Sequence, residues 1–353
     1  MIKLQKQDIL KKLVAITGVV IFGVIFITHP DIASDGVKKG LALLGENLIP
    51  ALFPFMIVSG YIAESPITYL TTHIFDKAAH KAFRTSACSL VIFFLGCLGG
   101  YPIGAKTINE FRKKGYISET ESARLFNWCI NPGISFVVTA VGTFMLGNTL
   151  SGIIIYFSCV AASIVLGIFS GFFCRIPQAP QKHISNEKFT EHALIKAVSS
   201  SVEAMSGICG WVLFFSTLCE LCNQLIDAKD LKLLINAVAE VTLGCKATIS
   251  AGLPLPVLCA VISFGGLAVA SQIAPYLAEC GVKMKSYICW QLAGSALSSF
   301  FCSQLVKFFP RCAVASASIP PVGTLTKGVP TALIMLLMCI VMIFEVDNKR
   351  KVC

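Results

Sequence analysis

Charged side chains are scarce in this sequence. Asp, Glu, Lys and Arg make up 14% of the 353 residues, whereas 55% are hydrophobic. An ordinary soluble domain carries roughly 25% charged residues, and a water-soluble globule does not need this much apolar material. The shortage excludes a cytosolic enzyme, a nucleic-acid-binding module and a disordered regulator as first interpretations. It predicts a protein that lies in a lipid bilayer.

Motifs for metal binding and catalysis are also missing. There is no His-Glu-x-x-His motif and no phosphate-binding glycine loop followed by Lys-Ser/Thr. The apolar runs contain no Ser/His, Cys/His or paired-Asp arrangement. Most of the 16 Cys residues lie within apolar runs, where Cys acts as a small hydrophobe. We therefore expect no enzymatic activity, no metal site and no cofactor.

The excess of positive charge, +10, is divided among clusters between the apolar runs. Two of these clusters are Lys77/Lys81/Arg84 and 112–114. Basic clusters of this kind mark loops on the cytoplasmic side of a membrane. They are not interleaved with aromatic residues, so we expect no nucleic-acid partner.

The apolar runs divide the chain into two halves. Residues 1–40 form a cytoplasmic N-terminal segment and a first helix, 41–175 a first repeat, 176–190 a polar linker, and 191–353 a second repeat with a C-terminal span. Runs of this length predict membrane helices. The predicted helical runs are 13–28, 41–63, 134–146, 151–174, 207–226, 231–248, 255–277, 287–306 and 331–346.

The segment 88–108 departs from a simple span. Its second half contains Gly96, Gly99, Gly100, Pro102 and Gly104. Non-helical backbone at membrane depth occurs only where it is buried in protein or lines water. Because basic clusters lie on both sides of it, the segment is predicted to be a re-entrant hairpin with its tip at the glycines.

A second Gly-Gly element suggests an internal repeat. Residues 98–106 and 264–272 match at an offset of 166. Counting crossings from a cytoplasmic N-terminus places the two elements on opposite sides of the membrane, although it leaves the basic residues 349–351 outside. The predicted fold is an all-α polytopic membrane protein, with an inverted-repeat, transporter-like arrangement and two re-entrant Gly-Gly hairpins.

Broken helices of transporters meet near the membrane midplane, where their N-termini attract anionic groups. Lys106 is predicted to bind a substrate carboxylate, with snorkelling to the interface as the alternative. Glu240, with Thr242, is predicted to bind a coupling cation or to pair with Lys246, the alternative being an interfacial position. The predicted substrate-binding residues are Gly99, Gly100, Tyr101, Gly104, Lys106, Asn131, Gly265, Gly266 and Gln272.

Four segments carry a family resemblance. They are Asn-Leu-Ile-Pro-Ala-Leu-Phe-Pro-Phe (47–55), Gly-Gly-Tyr-Pro-Ile-Gly-Ala-Lys (99–106), Arg-Leu-Phe-Asn-Trp-Cys-Ile-Asn-Pro-Gly (124–133) and Phe-Gly-Gly-Leu-Ala-Val-x-x-Gln (264–272). Together they resemble the YlbJ (SpoVV) family of sporulation integral membrane proteins, over roughly residues 40–345. One departure is Cys129-Ile130-Asn131, where a Cys-Asn-Asn-like run is expected.

The resemblance implies nucleoside-recognition (gate) domains and a plan similar to concentrative nucleoside transporters. It also implies movement of dipicolinic acid across the outer forespore membrane of an endospore-forming bacterium. The expected partners are a small anionic substrate, the lipid bilayer, a coupling cation and further copies of the chain. Two alternatives stay open: a transporter of nucleosides or other small anions, and a non-transporting scaffold of the spore envelope.

Overall fold

The computed structural model describes residues 26–64, 74–173 and 192–312, with five further residues between 16 and 24. The regular elements of these segments are helices. They are α1 (Pro30–Glu64), α2 (Ile74–Phe83), α3 (Ala87–Gly99), α4 (Tyr101–Lys113), α5 (Glu119–Leu125), α6 (Ser135–Met145), α7 (Thr149–Phe173), α8 (His192–Leu225), α9 (Lys229–Ala239), α10 (Val241–Ser250), α11 (Leu255–Phe264), α12 (Gly266–Glu279), α13 (Met284–Phe308) and a short 3-10 turn, Pro310–Cys312.

Four stretches of helix are long and apolar enough to cross a membrane. They are α1, most of α7, most of α8, and α11 together with α12; α2 with α3 forms a possible fifth, bent by 100°. The predicted all-α membrane class is thereby confirmed. The linker 176–190, the span 331–346 and most of the run 13–28 lie outside the described residues.

The same order of elements occurs twice. Each time a long helix is followed by two short helices, then by two helices with an interruption between them, and then by another long helix; the interruption is residues 126–134 in the first half and Gly265 in the second. In the first half these are α1, α3–α4, α5–α6 and α7, with α2 inserted. In the second half they are α8, α9–α10, α11–α12 and α13.

The chain reverses direction between α3 and α4, as the glycines predict. A Cβ placed on Gly96 would lie 3.4 Å from the Gly104 Cα, whereas one straight helix would keep these residues about 12 Å apart. The reversal occurs at Gly100, whose φ of 89° is accessible to glycine at little cost. We call α3–α4 the first hairpin; its entry and exit on one side of the membrane stay a prediction.

The second reversal is not where the sequence places it. Helices α11 and α12 follow one another as one candidate span, Leu255–Glu279, so Gly265 and Gly266 interrupt a span and do not close a hairpin. The reversal is at Glu240 instead, between α9 and α10. There a Cβ on Gly244 would lie only 2.7 Å from the Ala237 Cα. We call α9–α10 the second hairpin.

The predicted continuous helix over 231–248 is therefore wrong. Glu240 has an extended backbone, with φ −144° and ψ 128°. Its carboxylate accepts a hydrogen bond of 2.7 Å from the Leu243 backbone N–H. A side chain that accepts a hydrogen bond from the first turn caps the start of a new helix. The apolar periodicity of 231–248 therefore belongs to two successive helices and not to one.

The repeat at an offset of 166 is not confirmed either. It equates α4 with α12, and equivalent helices of an inverted repeat run in opposite directions. Here both run the same way: Tyr101 lies beside Gly265 at their starts, and Asn109 Nδ2 donates to Glu279 Oε2 (2.8 Å) near their ends. By their place in the order of elements, the Gly99–Gly100 tip corresponds to Glu240, and the break at Gly133 corresponds to that at Gly265–Gly266.

A buried carboxylate ties α5 to the start of α3. Glu121 is fully buried, and its Oε1 accepts from Thr85 Oγ1 (2.7 Å), the Ser86 N–H (2.8 Å) and Ser89 Oγ (2.7 Å). Negative charge is favourable at a helix N-terminus. Ser118 caps α5, since its Oγ accepts from the Glu121 backbone N–H at 3.1 Å. The side chain of Glu121 holds the base of the first hairpin, so this helix is anchored in the protein interior.

Candidate substrate cavity

Each hairpin tip contacts the interruption between the two helices that follow it. In the first half, a Cβ on Gly133 would lie 3.0 Å from the Gly100 backbone N. In the second half, a Cβ on Gly266 would lie 3.1 Å from the Val238 carbonyl O and 3.3 Å from that of Ala239. Small residues permit this approach of two backbones. The two hairpin tips and the two later interruptions therefore contact each other in two pairs.

Tyr101 joins the two pairs. It begins α4 at the first tip, and its hydroxyl donates to the Ile262 carbonyl at the end of α11. Its ring also contacts the second break, because a Cβ on Gly265 would lie 3.4 Å from Tyr101 Cζ. The first tip is thus bonded directly to the second broken span.

A small cavity of about 50 Å³ lies where these elements meet. Its polar groups come from the tips and from α12, whereas the long helices α1 and α8 contribute aliphatic side chains. The lining residues are Leu48, Leu52, Gly99, Gly100, Tyr101, Pro102, Gly133, Phe136, Ile208, Val212, Glu240, Val241, Thr242, Val269 and Gln272.

The cavity brings together six of the predicted site residues: Gly99, Gly100, Tyr101, Glu240, Thr242 and Gln272. Gly265 and Gly266 lie directly behind the lining, in contact with Tyr101 and with the end of α9. Gly104, Lys106 and Asn131 are elsewhere. Gly104 packs against Gly96 and the Cys129 carbonyl, so its role is to close the first hairpin.

Lys106 does not face the cavity. Its ammonium donates to Ser200 Oγ at 2.6 Å and lies 3.3 Å from Glu203 Oε2, both on α8. The side chain is 18% exposed. The amine is thus paired within the protein, and its predicted contact with a substrate carboxylate stays a prediction.

Asn131 is held inside the protein. It is 3% exposed, its Nδ2 donates to the Trp128 carbonyl (3.0 Å), and its Oδ1 accepts from Ser163 Oγ. With both ends of the amide bonded, it shapes the break and does not line the cavity. Sequence reasoning missed Gly133, two residues further on, although the Asn-Pro-Gly run was the available signal.

Glu240 and Thr242 form a small polar corner of the cavity. Glu240 is 1% exposed, and its Oε1 accepts from Thr242 Oγ1 at 3.0 Å. Because its Oε2 accepts from the Leu243 N–H, the carboxylate caps the start of α10. Its predicted pairing with a coupling cation is untested by these contacts and stays a prediction.

Gln272 is the amide that lines the cavity. It lies in the second turn of α12, is partly buried, and forms no side-chain hydrogen bond to another residue in the described part of the chain. Its amide can both donate and accept. Gln272 is therefore the polar side chain best placed to recognise a solute.

The described segments contain no group of three or more His, Cys, Asp or Glu that could hold a metal ion. What they contain is a set of apolar helices with paired interruptions around a cavity. This arrangement defines an integral membrane protein with a cavity among its interrupted helices.

The chain is similar to the sporulation integral membrane protein YlbJ of Bacillus subtilis (strain 168). The two are 23% identical over 329 residues, which cover 80% of this chain and 79% of that protein. This similarity supports the resemblance to the YlbJ family that the motifs carry. No family model matches the chain. No solved structure matches it.

Proposed function

We propose that this chain is a membrane transporter for a small aromatic dicarboxylate, with dipicolinic acid as the first candidate substrate and the outer forespore membrane as its location. The observation that carries the proposal is the meeting of four helix interruptions at one cavity. A scaffold has no need of interrupted helices, because each interruption leaves backbone groups that lipid cannot satisfy. The sporulation name of the relative YlbJ supports the biological setting.

The cavity suits a flat ring with anionic substituents. Helices α4, α10 and α12 begin at or beside it, and helix N-termini carry partial positive charge. Tyr101 and Phe136 offer aromatic surface, while the aliphatic side chains of α1 and α8 form the opposite wall. The substrate carboxylates would bind at the helix starts and the ring would lie against the apolar wall.

The proposal includes an inverted repeat in the corrected register, and the direction of the long helices supports it. The long helices α1 and α8 are antiparallel, since Lys39 pairs with Glu220 near one end and Gly60 lies beside Ala197 near the other. The first hairpin ends beside Glu64, at the end of α1, through Lys114 (3.9 Å). The second hairpin begins just after α8 ends, at the opposite end of this pair. The two hairpins would then enter the membrane from opposite sides, the first from the cytoplasm beside its basic cluster.

One observation favours a second candidate, a neutral solute such as a nucleoside. Among the described residues that line the cavity there is no Lys, Arg or His, and Glu240 is the one ionisable acid. A carboxylate disfavours a dianion unless it is neutralised. Nucleoside transport is therefore the alternative to test in the same experiment.

The experiment is flux of labelled dipicolinate into liposomes that carry the purified protein, with a nucleoside and an unrelated dicarboxylate as competitors. Saturable flux that dipicolinate alone inhibits is expected. Flux of the nucleoside would keep a transporter and overturn the substrate. Absence of any flux in folded protein would overturn transport in favour of a scaffold.

A variant pair tests the cavity itself. Gln272→Leu removes the amide that lines the cavity, and we expect the half-saturating concentration to rise about tenfold, the equivalent of one hydrogen bond of about 1.4 kcal/mol. Gln304→Leu is the matched control, because Gln304 lies on α13, outside the lining residues, and bonds to Ser303 and Lys307. An equal effect of both changes would place the site elsewhere.

A further inference from the structure

The first hairpin and α8 both line the cavity, and a polar contact beside it joins them. At the cavity, α8 presents Ile208 and Val212, whose side chains offer no hydrogen bond to the hairpin. Two turns closer to the start of α8, Ser200 and Glu203 bind the amine of Lys106. The hairpin is thus held to the long helix by a polar contact beside the cavity that both of them line.

The contact of Lys106 with Ser200 and Glu203 is weak enough to break and re-form. Lys106 is largely buried, at 18% exposure, but Glu203 is 70% exposed, so water competes for its carboxylate. Ion pairs with an exposed partner contribute little to stability. The short bond to Ser200 positions the amine without burying a permanent charge pair.

We propose that Lys106 is a positioning residue that latches the first hairpin to α8 through Ser200 and Glu203, and that the latch opens when the cavity opens on that side of the hairpin. The inference rests on the proposed function, since a moving hairpin has a purpose in a transporter. It replaces the predicted role of Lys106 as a substrate ligand. A second fastening, from Lys114 to Glu64, joins the end of the same hairpin to α1.

The test measures how fast N-ethylmaleimide labels a thiol placed on the α8 wall by Val212→Cys, with labelled sites mapped by peptide mass spectrometry. Val212 is 2% exposed and lines the cavity. The native Cys259 is the internal control, because it is fully buried between α7 and α13, away from α8. Lys106→Gln and Glu203→Gln are each expected to raise labelling at position 212 about fivefold and to leave Cys259 unchanged.

A charge exchange decides between a latch and general loosening. Lys106→Glu combined with Glu203→Lys is expected to return labelling at position 212 to within about twofold of the unaltered latch. No rise in either single variant, an equal rise at Cys259, or no recovery in the exchanged protein would each overturn the proposal. Because labelling needs no solute, a failure of all flux would overturn the proposed function and leave the latch to be decided by its own result.

Discussion

Substitution of one glycine distinguishes a hairpin at Glu240 from a continuous helix. In a continuous helix over 231–248, Gly244→Ala would stabilise the protein by about 0.5–1 kcal/mol, because alanine loses less backbone entropy. In the structure the added Cβ would lie 2.7 Å from the Ala237 Cα and 2.9 Å from Val261 Cγ1. The two interpretations therefore predict opposite signs.

The expected loss follows from these two contacts. Overpacking a close contact typically costs about 1–3 kcal/mol, and the nearest atom is backbone that cannot rotate away. After the helical gain of about 0.5–1 kcal/mol is subtracted, a net loss of about 1–2 kcal/mol is expected. The control is Gly210→Ala on α8, where nothing lies within 4 Å of the added Cβ.

The measurement is the free energy of unfolding in mixed detergent micelles, followed by tryptophan fluorescence. Trp128, which is 2% exposed and packs against Phe83 and Phe93, reports loss of the folded state. Gly244→Ala should unfold more easily than the unaltered protein, and Gly210→Ala should not. If the two variants were equally stable, the second hairpin would be refuted and a continuous helix restored.

Two further variant pairs test the first hairpin by the same unfolding measurement. Gly100→Ala should lose about 2–3 kcal/mol of unfolding free energy, because its φ of 89° is strained for alanine and its Cβ would contact Gly133 at 3.3 Å. Gly115→Ala, which has φ 77° and open space around the added Cβ, should lose only the cost of the backbone strain, about 1–2 kcal/mol. Equal losses would contradict the close contact between Gly100 and Gly133. Glu121→Ala should lose about 3 kcal/mol of unfolding free energy, since it leaves buried donors unpaired. Glu119→Ala is the control on the same helix; its carboxylate is 71% exposed, and the expected loss is about 0–1 kcal/mol. Similar losses in the two variants would contradict the hydrogen bonding of Glu121.

The sequence predicts the helical membrane class and the first tip because both depend on local chemistry. Long apolar runs have few structural solutions in lipid, and adjacent glycines mark a break wherever they occur. Gly99, Gly100 and Gln272 reach the cavity as predicted from their place beside such breaks. Local sequence patterns do not predict which distant residues these three contact.

The repeat register and two site residues depend on those long-range contacts. Gly-Gly at 265–266 looks like a hairpin tip, but it breaks a span because its partner is the end of α9, about 27 residues earlier. Glu240 looks like a polar residue within a helix, although its side chain ends one helix and starts the next. For Lys106, a long flexible side chain can reach either the cavity or α8, and the sequence does not distinguish Ser200 and Glu203 as its partners.

The bond from Tyr101 to the Ile262 carbonyl has a consequence for synthesis. Its partners are 161 residues apart, and at the usual rate of about 5–20 residues per second the second is made roughly 8–32 s after the first. Until then the first hairpin is inserted with its tip unfinished and its apolar wall open. A ribosome that stops before Ile262 would therefore leave an incomplete chain that lacks the partner of Tyr101, and such a chain is a candidate substrate for membrane quality control.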